Sequence, residues 1–332
     1  MPNTIVIVGS GLAGYNLSRE IRKRDTNGRL VIISRDSADS YSKPMLSNAL
    51  SGKKSAESLV MKDCETMAKE LNAEILARTE VEHIDAKAQT LTLQDGQEIG
   101  WDELVLAVGA DPIRLPLEGD AVTDVQSVND LDDFAQFDRR LKDVKKLVVL
   151  GGGLIGCEFA NDVLSRDISP TVVDIGEWPL GRLLPEEAAR WFEKRLTDAG
   201  VDFRFGAGAE RVESNGNGYR VSLDNGDTIE ADLVLSAVGL RPRTELAKTA
   251  QLDINRGIRT DTYLRTSHPH IYAMGDCAEV SGVNLPYVMP IMQQARALGA
   301  TLTGEPTEVK YPAMPVSVKT PACPTVVCPP SA

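Results

Sequence analysis

The chain has 332 residues, 42% of them hydrophobic and 25% charged, with a net charge of −12. That length allows two or three ordinary domains, and the composition is that of a globular protein. The acidity argues against nucleic acid and anionic membrane as partners, and no apolar run approaches the roughly 20 residues of a membrane-spanning helix.

At the N-terminus, Ile5-Val6-Ile7-Val8 reads as a buried strand leading into Gly9-Ser10-Gly11-Leu12-Ala13-Gly14. Ala13, Leu17 and Ile21 then recur at helical spacing. G-x-G-x-x-G between strand and helix lets a pyrophosphate approach bare backbone at a helix N-terminus, where free N–H groups and the helix dipole favour anions. The start carries no signal-peptide pattern, so a cytoplasmic protein is expected. The next strand, Val31-Ile32-Ile33, ends in Ser34-Arg35-Asp36. Only Asp36 could be the acid that holds ribose hydroxyls in such a fold, and it comes a little late. Leu91 and Leu93 alternate before the hairpin signal Asp95-Gly96, and Leu104-Val105-Leu106 forms a further strand. Pro112 to Pro116 mark a connection.

The same pattern then begins again. Leu147-Val148-Val149-Leu150 leads into Gly151-Gly152-Gly153-Leu154-Ile155-Gly156, with Ile155, Phe159 and Val163 on one helical face. Glu158 is expected in the first turn of that helix, where a carboxylate also complements the dipole. Thr171-Val172-Val173-Asp174 places an acid where the ribose 2′-hydroxyl of a dinucleotide is held. A carboxylate there repels the extra phosphate of NADP, so NADH is the expected ligand; the plainer alternative is a surface aspartate at a strand end. A second hairpin signal follows at Asn225-Gly226. Counted from each turn glycine, Ile99, Asp102, Ala107, Val108 and Gly109 match Ile229, Asp232, Ala237, Val238 and Gly239. The chain therefore reads as a duplication, an α/β fold of two Rossmann-like dinucleotide-binding domains, the second inserted into the first. Two dinucleotides in one chain imply electron transfer between them.

Toward the C-terminus come the strand and turn Ile271-Tyr272-Ala273-Met274-Gly275-Asp276 and a helix through Gln294 and Leu298. Lys319 follows the apolar, strand-like Met314-Pro315-Val316-Ser317-Val318. The five cysteines (Cys64, Cys157, Cys277, Cys323, Cys328) are odd in number and scattered, as in a protein with reduced thiols. His83, His268 and His270 have no metal-ligand spacing, so no metal site is expected.

Gly9 to Gly14, Leu104 to Ala110, Gly151 to Glu158, Val234 to Arg241 and above all Ile271 to Asp276 resemble the FAD- and NAD(P)H-dependent pyridine nucleotide–disulfide oxidoreductase superfamily. The resemblance implies a glutathione-reductase-like fold of three-layer ββα domains. It implies an FAD-binding domain of 1–114 plus 242–307, an NAD(H)-binding domain of 115–241, and the start of an incomplete C-terminal interface domain in 308–332. The first loop, with Gly9, Gly11, Leu12, Ala13 and Gly14, would hold the FAD pyrophosphate, and Gly275 with Asp276 its ribityl region. The second loop, with Gly151, Gly153 and Gly156, would hold NADH together with Asp174. Ser34, Arg35, Asp36, Gly109 and Gly239 complete the strand-end cofactor positions. Val81 would touch adenine, and Val288 and Lys319 the flavin ring. Lys43, near the hydride-accepting nitrogen, and Glu158, reaching the nicotinamide–flavin junction and pairing with Lys43, are the implied catalytic residues.

Disulfide-reducing members of that superfamily carry a C-x4-C pair where this chain has Tyr41-Ser42-Lys43-Pro44-Met45-Leu46-Ser47, without a thiol. Electrons are thus expected to pass directly to an external acceptor, as in the branch that reduces ferredoxin, putidaredoxin or rubredoxin. The stretches Tyr41–Ser47, Gly156–Asp162, Ala237–Arg243 and Val318–Cys323 look like those of rubredoxin-reducing members. The expected partner is rubredoxin or a similar small electron-transfer protein, met by a monomer. Ferredoxin, a nitrite- or nitric-oxide-reducing centre, oxygen, or a non-enzymatic role as FAD-binding redox sensor or inactive fragment remain as alternatives. Family members run several tens of residues beyond Pro329-Pro330-Ser331-Ala332, so this chain is expected to be a short variant or a truncated one.

Overall fold

The computed structural model describes residues 3–328; the expected end of the chain at Pro329 to Ala332 lies outside the described residues. The chain forms two compact units. The first gathers the residues up to Ser42, Val60–Asp111 and Arg241–Met314; the second gathers Lys43–Leu59, Pro112–Leu240 and the chain from Pro315.

In the first unit a five-stranded parallel sheet runs in the spatial order Ile271–Ala273, Glu103–Leu106, Thr4–Val8, Arg29–Ile33, Glu74–Leu76. The central strands are near-continuous apolar runs because both faces are covered, the usual condition of a parallel sheet. An antiparallel meander (Val81–Asp85, Thr90–Leu93, Glu98–Gly100) adds Val81, Ile84, Leu91, Leu93 and Ile99 to the same core. Its turn glycine, Gly96, has φ +83°, the left-handed region that the hairpin signal anticipated. The helix Leu12–Arg22 packs against the helix Val288–Leu302 at Gly299, where a Cβ would come within 2.7 Å of the Glu20 side chain.

The second unit repeats this plan with four parallel strands in the order Asp202–Phe205, Ser169–Asp174, Lys146–Leu150, Leu233–Ser236. Strand alternation divides its core. Val148 and Leu150 pack with Val212, Val221 and Leu223 of the meander Ala209–Asn215, Gly218–Leu223, Thr228–Ala231. Val149 points the other way, toward the helix Leu154–Val163. The repeat extends to single hydrogen bonds. Asp102 accepts the N–H of Thr4 at 2.7 Å, and its counterpart Asp232 accepts that of Lys146 at 2.8 Å, each fixing the start of the first strand of its own half.

The partition differs from the expected boundaries most at two segments. Lys43–Leu59 belongs with the second unit rather than the first, and the chain from Pro315 joins that unit too. Both are held by polar side chains of the helix Leu154–Val163, a face that apolar periodicity alone does not reveal.

Candidate functional site

The two glycine loops have the same geometry. Gly9 has φ +116° and donates its N–H to Ile33 O at 2.8 Å; a Cβ there would lie 2.2 Å from Ala107 O. Gly151 has φ +108°, donates to Val173 O at 2.8 Å, and would meet Ala237 O at 2.7 Å. The last glycines, Gly14 and Gly156, let helix and loop touch: a Cβ would stand 1.9 Å from Gly9 O and 1.8 Å from Gly151 O respectively. The middle glycines differ from both. At Gly11 and Gly153 a Cβ would meet nothing within 4 Å. Each is the N-cap of its helix, without a side-chain cap and without an acidic residue in the first turn. Tight turn, open approach and close packing are the three separate tasks of a dinucleotide loop. The unoccluded N-termini suit a pyrophosphate in both units.

In the first unit the other expected cofactor residues gather at the ends of the parallel strands. Ser10 and Ser34, both buried, have hydroxyl oxygens 2.7 Å apart; Ser34 donates to Asp36 Oδ1 at 2.6 Å, which leaves its oxygen to accept the Ser10 hydroxyl, itself 3.2 Å from the same carboxylate oxygen. Asp36 also accepts the N–H of Ala38 at 2.9 Å. Arg35 is half-exposed, with Asp111 3.5 Å away. Gly109 has φ +72°. Gly275, at φ +77°, donates to the buried Gln294 Oε1 at 2.7 Å, and a Cβ there would be 2.9 Å from that of Ala13. Gly275-Asp276 therefore abuts the first residues of the glycine-loop helix, though more than 250 positions separate them along the chain. Val81 is a core residue of the meander, and Val288 opens its helix partly exposed. Ser10 and Gln294 were not singled out in the sequence; a serine inside the glycine motif is the signal for the first.

In the second unit Asp174 accepts N–H groups on both carboxylate oxygens, from Gly152 at 2.5 Å and Gly176 at 2.6 Å. The strand-end acid thus ties down the loop beside which it stands. In the first half the corresponding contact passes through the Ser10 hydroxyl instead of a backbone N–H. Gly239 has φ +116°.

Glu158 is not in the first helical turn, because the helix starts at Leu154 and a turn takes about 3.6 residues. It is fully buried. Its Oε2 accepts the Ser47 hydroxyl and the Lys319 ammonium, each at 2.5 Å, and its Oε1 accepts the Lys319 backbone N–H at 2.9 Å. The expected partner was Lys43; these bonds go to Lys319 and Ser47, while the Lys43 amine donates to Asn129 Oδ1 at 2.7 Å. Asn161 and Asp162 follow on the same face at helical spacing. Asn161 Oδ1 accepts the Ala322 N–H at 3.0 Å, and Asp162 accepts those of Leu50 and Ser51, both at 2.9 Å. Three side chains of one helix thus hold Lys43–Leu59 and the C-terminal hairpin Val316–Val318, Thr325–Val327.

None of the thiols with a displaced pKa is activated. Burial pushes Cys157 well above the ordinary thiol value, Cys277 up to about 11, and Cys64 upward too, helped by nearby Asp39 and Asp63. A nucleophilic cysteine needs the opposite shift. Among the described residues no group of three or more His, Cys, Asp or Glu is arranged for a metal ion, and no helix is long and apolar enough to cross a membrane.

Residues 3–299 match the pyridine nucleotide-disulphide oxidoreductase family, and residues 308–332 match the rubredoxin binding C-terminal domain. The chain belongs to the pyridine nucleotide-disulphide oxidoreductase family, the one its motifs resemble. It is 50% identical over 332 residues to the rubredoxin-NAD(+) reductase of Acinetobacter baylyi, an alignment covering 98% of this chain and 84% of that protein. It is 40% identical over 318 residues to the nitric oxide reductase FlRd-NAD(+) reductase of Klebsiella pneumoniae, covering 96% and 84%. Among solved structures, a ferredoxin reductase of Rhodopseudomonas palustris superposes with a TM-score of 0.88 at 30% identity, over 94% of this chain and 79% of that one.

Proposed function

We propose that this protein binds FAD in the first unit and NADH in the second, takes hydride from NADH, and passes electrons singly to rubredoxin in the cytoplasm. The observation that carries the acceptor is the 50% identity to a rubredoxin-NAD(+) reductase across 98% of the chain, together with the match of 308–332 to the rubredoxin binding C-terminal domain. When bound, FAD supplies the conversion between two-electron hydride chemistry and one-electron transfer that nicotinamide cannot perform. The residues bind, orient and balance charge.

Gly11 and the N–H groups that follow it would receive the FAD pyrophosphate, with Asp36 and Asp276 toward its hydroxyls. Gly153 would do the same for NADH, and Asp174 would exclude a 2′-phosphate by charge while its bonds to Gly152 and Gly176 keep the loop in shape. Lys319 carries the positive charge at the Glu158 cluster, and Glu158 fixes it from both its backbone and its side chain. In this reading Lys319 stabilises negative charge on the reduced cofactor. Lys43, held by Asn129, is a second cation for that task.

The test is steady-state NADH oxidation by the purified flavin-loaded protein with rubredoxin, ferredoxin or oxygen alone as acceptor. Turnover with rubredoxin well above that with the others is expected. A rate indifferent to rubredoxin overturns the assignment, and a preparation without a flavin spectrum removes the first-unit cofactor as well.

A further inference from the structure

The segment Lys43–Leu59 carries three lysines against a single glutamate, Glu57, in a chain whose net charge is −12. Lys43 is engaged by Asn129. Lys53 and Lys54 are exposed, and among the described residues neither has a carboxylate at ion-pair distance. They share this with Lys142 and Lys145 of the same unit, whereas Arg190, Lys194, Arg204, Arg211 and Arg220 each face an acid.

Backbone hydrogen bonds hold the two lysines in place. The Lys53 N–H donates to Leu50 O and the Lys54 N–H to Ala49 O, both at 2.9 Å, with Lys53 in the left-handed region at φ +51°. The turn is in turn anchored through Leu50 and Ser51 to Asp162. The adjacent residue of the helix, Asn161, anchors Ala322, which lies inside the segment matching the rubredoxin binding C-terminal domain. Asn161 and Asp162 are consecutive, their Cα atoms about 3.8 Å apart, so one end of the helix anchors both the basic turn and the C-terminal hairpin. Ser51, Lys53, Lys54, Ser165 and Arg166 line an open groove there, with Arg166 2.7 Å from Asp138.

We infer that the Lys53–Lys54 turn extends the docking surface of the C-terminal segment and selects an acidic electron-transfer protein as partner. The inference rests on the proposed rubredoxin reading and adds to it the place and sign of the contact. A protein of charge −12 repels an acidic partner at long range, and a local positive turn beside the docking segment offsets that repulsion where the partner must arrive. Charges so placed act mainly on the association rate and weaken with salt.

The test compares the flavin-loaded wild type with the double variant Lys53→Glu, Lys54→Glu. A charge-matched control, Lys142→Glu with Lys145→Glu, changes residues just before the strand Lys146–Leu150, at the end remote from its glycine loop. Acceptors are rubredoxin and a neutral quinone. In the Lys53/Lys54 variant kcat/KM for rubredoxin is expected to fall about tenfold at low ionic strength, and to approach the wild-type value near about 0.5 M salt. Quinone turnover should be unchanged, and the control should keep most of its rubredoxin activity. An equal fall in the control, no fall at all, or a rise each overturns the inference while leaving the function intact. A wild type that does not reduce rubredoxin overturns the function, and the inference with it.

Discussion

Lys319 meets Glu158 twice, its backbone N–H on Oε1 at 2.9 Å and its ammonium on Oε2 at 2.5 Å. The carboxylate is wholly buried, whereas the lysine side chain keeps 23% of its surface exposed. A buried acid whose one charged hydrogen-bond donor among the described residues stands at the edge of solvent fixes the direction of that cation more firmly than surface pairing does. Removing either partner leaves the other poorly matched.

Glu158→Ala should therefore destabilise the protein by about 3 kcal/mol, the lower part of the range for breaking a buried pair, because the abandoned ammonium can turn to water. Urea unfolding midpoints with unchanged slopes would measure it. A shift under half that size means the pair is not structural.

Asp174→Ala removes both the acceptor for Gly152 and Gly176 and the charge at the strand end. Loss of a hydrogen bond to a charged group, about 1.5 to 3 kcal/mol, predicts at least a tenfold rise in KM for NADH. The preference for NADH over NADPH should shrink as well. Unchanged ratios of kcat/KM for the two nucleotides would take Asp174 out of the site.

Gly11→Ala and Gly14→Ala separate binding from folding within one loop. Space is open at Gly11, so that variant should fold with a near-native melting temperature yet lose bound flavin, since the new methyl group occupies the anion's approach. At Gly14 the methyl would lie 1.9 Å from Gly9 O, and the variant should lose stability first. Flavin absorbance per protein and thermal melts, taken together, distinguish the two. The reverse ranking would refute the assignment of tasks within the loop.

The protein should lose stability at alkaline pH. Burial raises Cys277 from 9.0 to about 11 and Tyr272 from 10.0 to about 12. Both groups hold their protons more tightly when folded, so their contribution is complete below pH 9 and is lost as pH climbs through 11 and 12. Stability measured by denaturant should decline from about pH 9 upward. Cys277→Ser should flatten part of that decline; an identical pH slope would exclude Cys277 as its source.

Much of the fold was legible because each duplicated half repeats a pattern with one physical meaning. Two apolar strands, each ending in G-x-G-x-x-G and followed by helical spacing, read as buried parallel strands feeding helix N-termini, and matched aspartates such as Asp102 and Asp232 reported the register of the copies. The strand-end position of Asp174 was legible for the same reason. What escaped the sequence was the tertiary use of a helix face. Glu158, Asn161 and Asp162 lie at i, i+3 and i+4 on a helix almost wholly buried. Polar groups so placed demand partners, but nothing local says that those partners are Ser47, Leu50, Ser51, Lys319 and Ala322. The clue was present as three polar residues on a helix otherwise too apolar for a surface position.

The chain crosses between its two units at Ser42/Lys43, Leu59/Val60, Asp111/Pro112, Leu240/Arg241 and Met314/Pro315. Neither half can be excised as an uninterrupted polypeptide. A fragment spanning 112–240 would retain a complete parallel sheet and its glycine loop, yet strand Glu158 and Asp162 as buried acids without the N–H and ammonium donors that satisfy them. The second unit is thus a nucleotide-binding module assembled from three separate parts of the polypeptide, Lys43–Leu59, Pro112–Leu240 and the chain from Pro315.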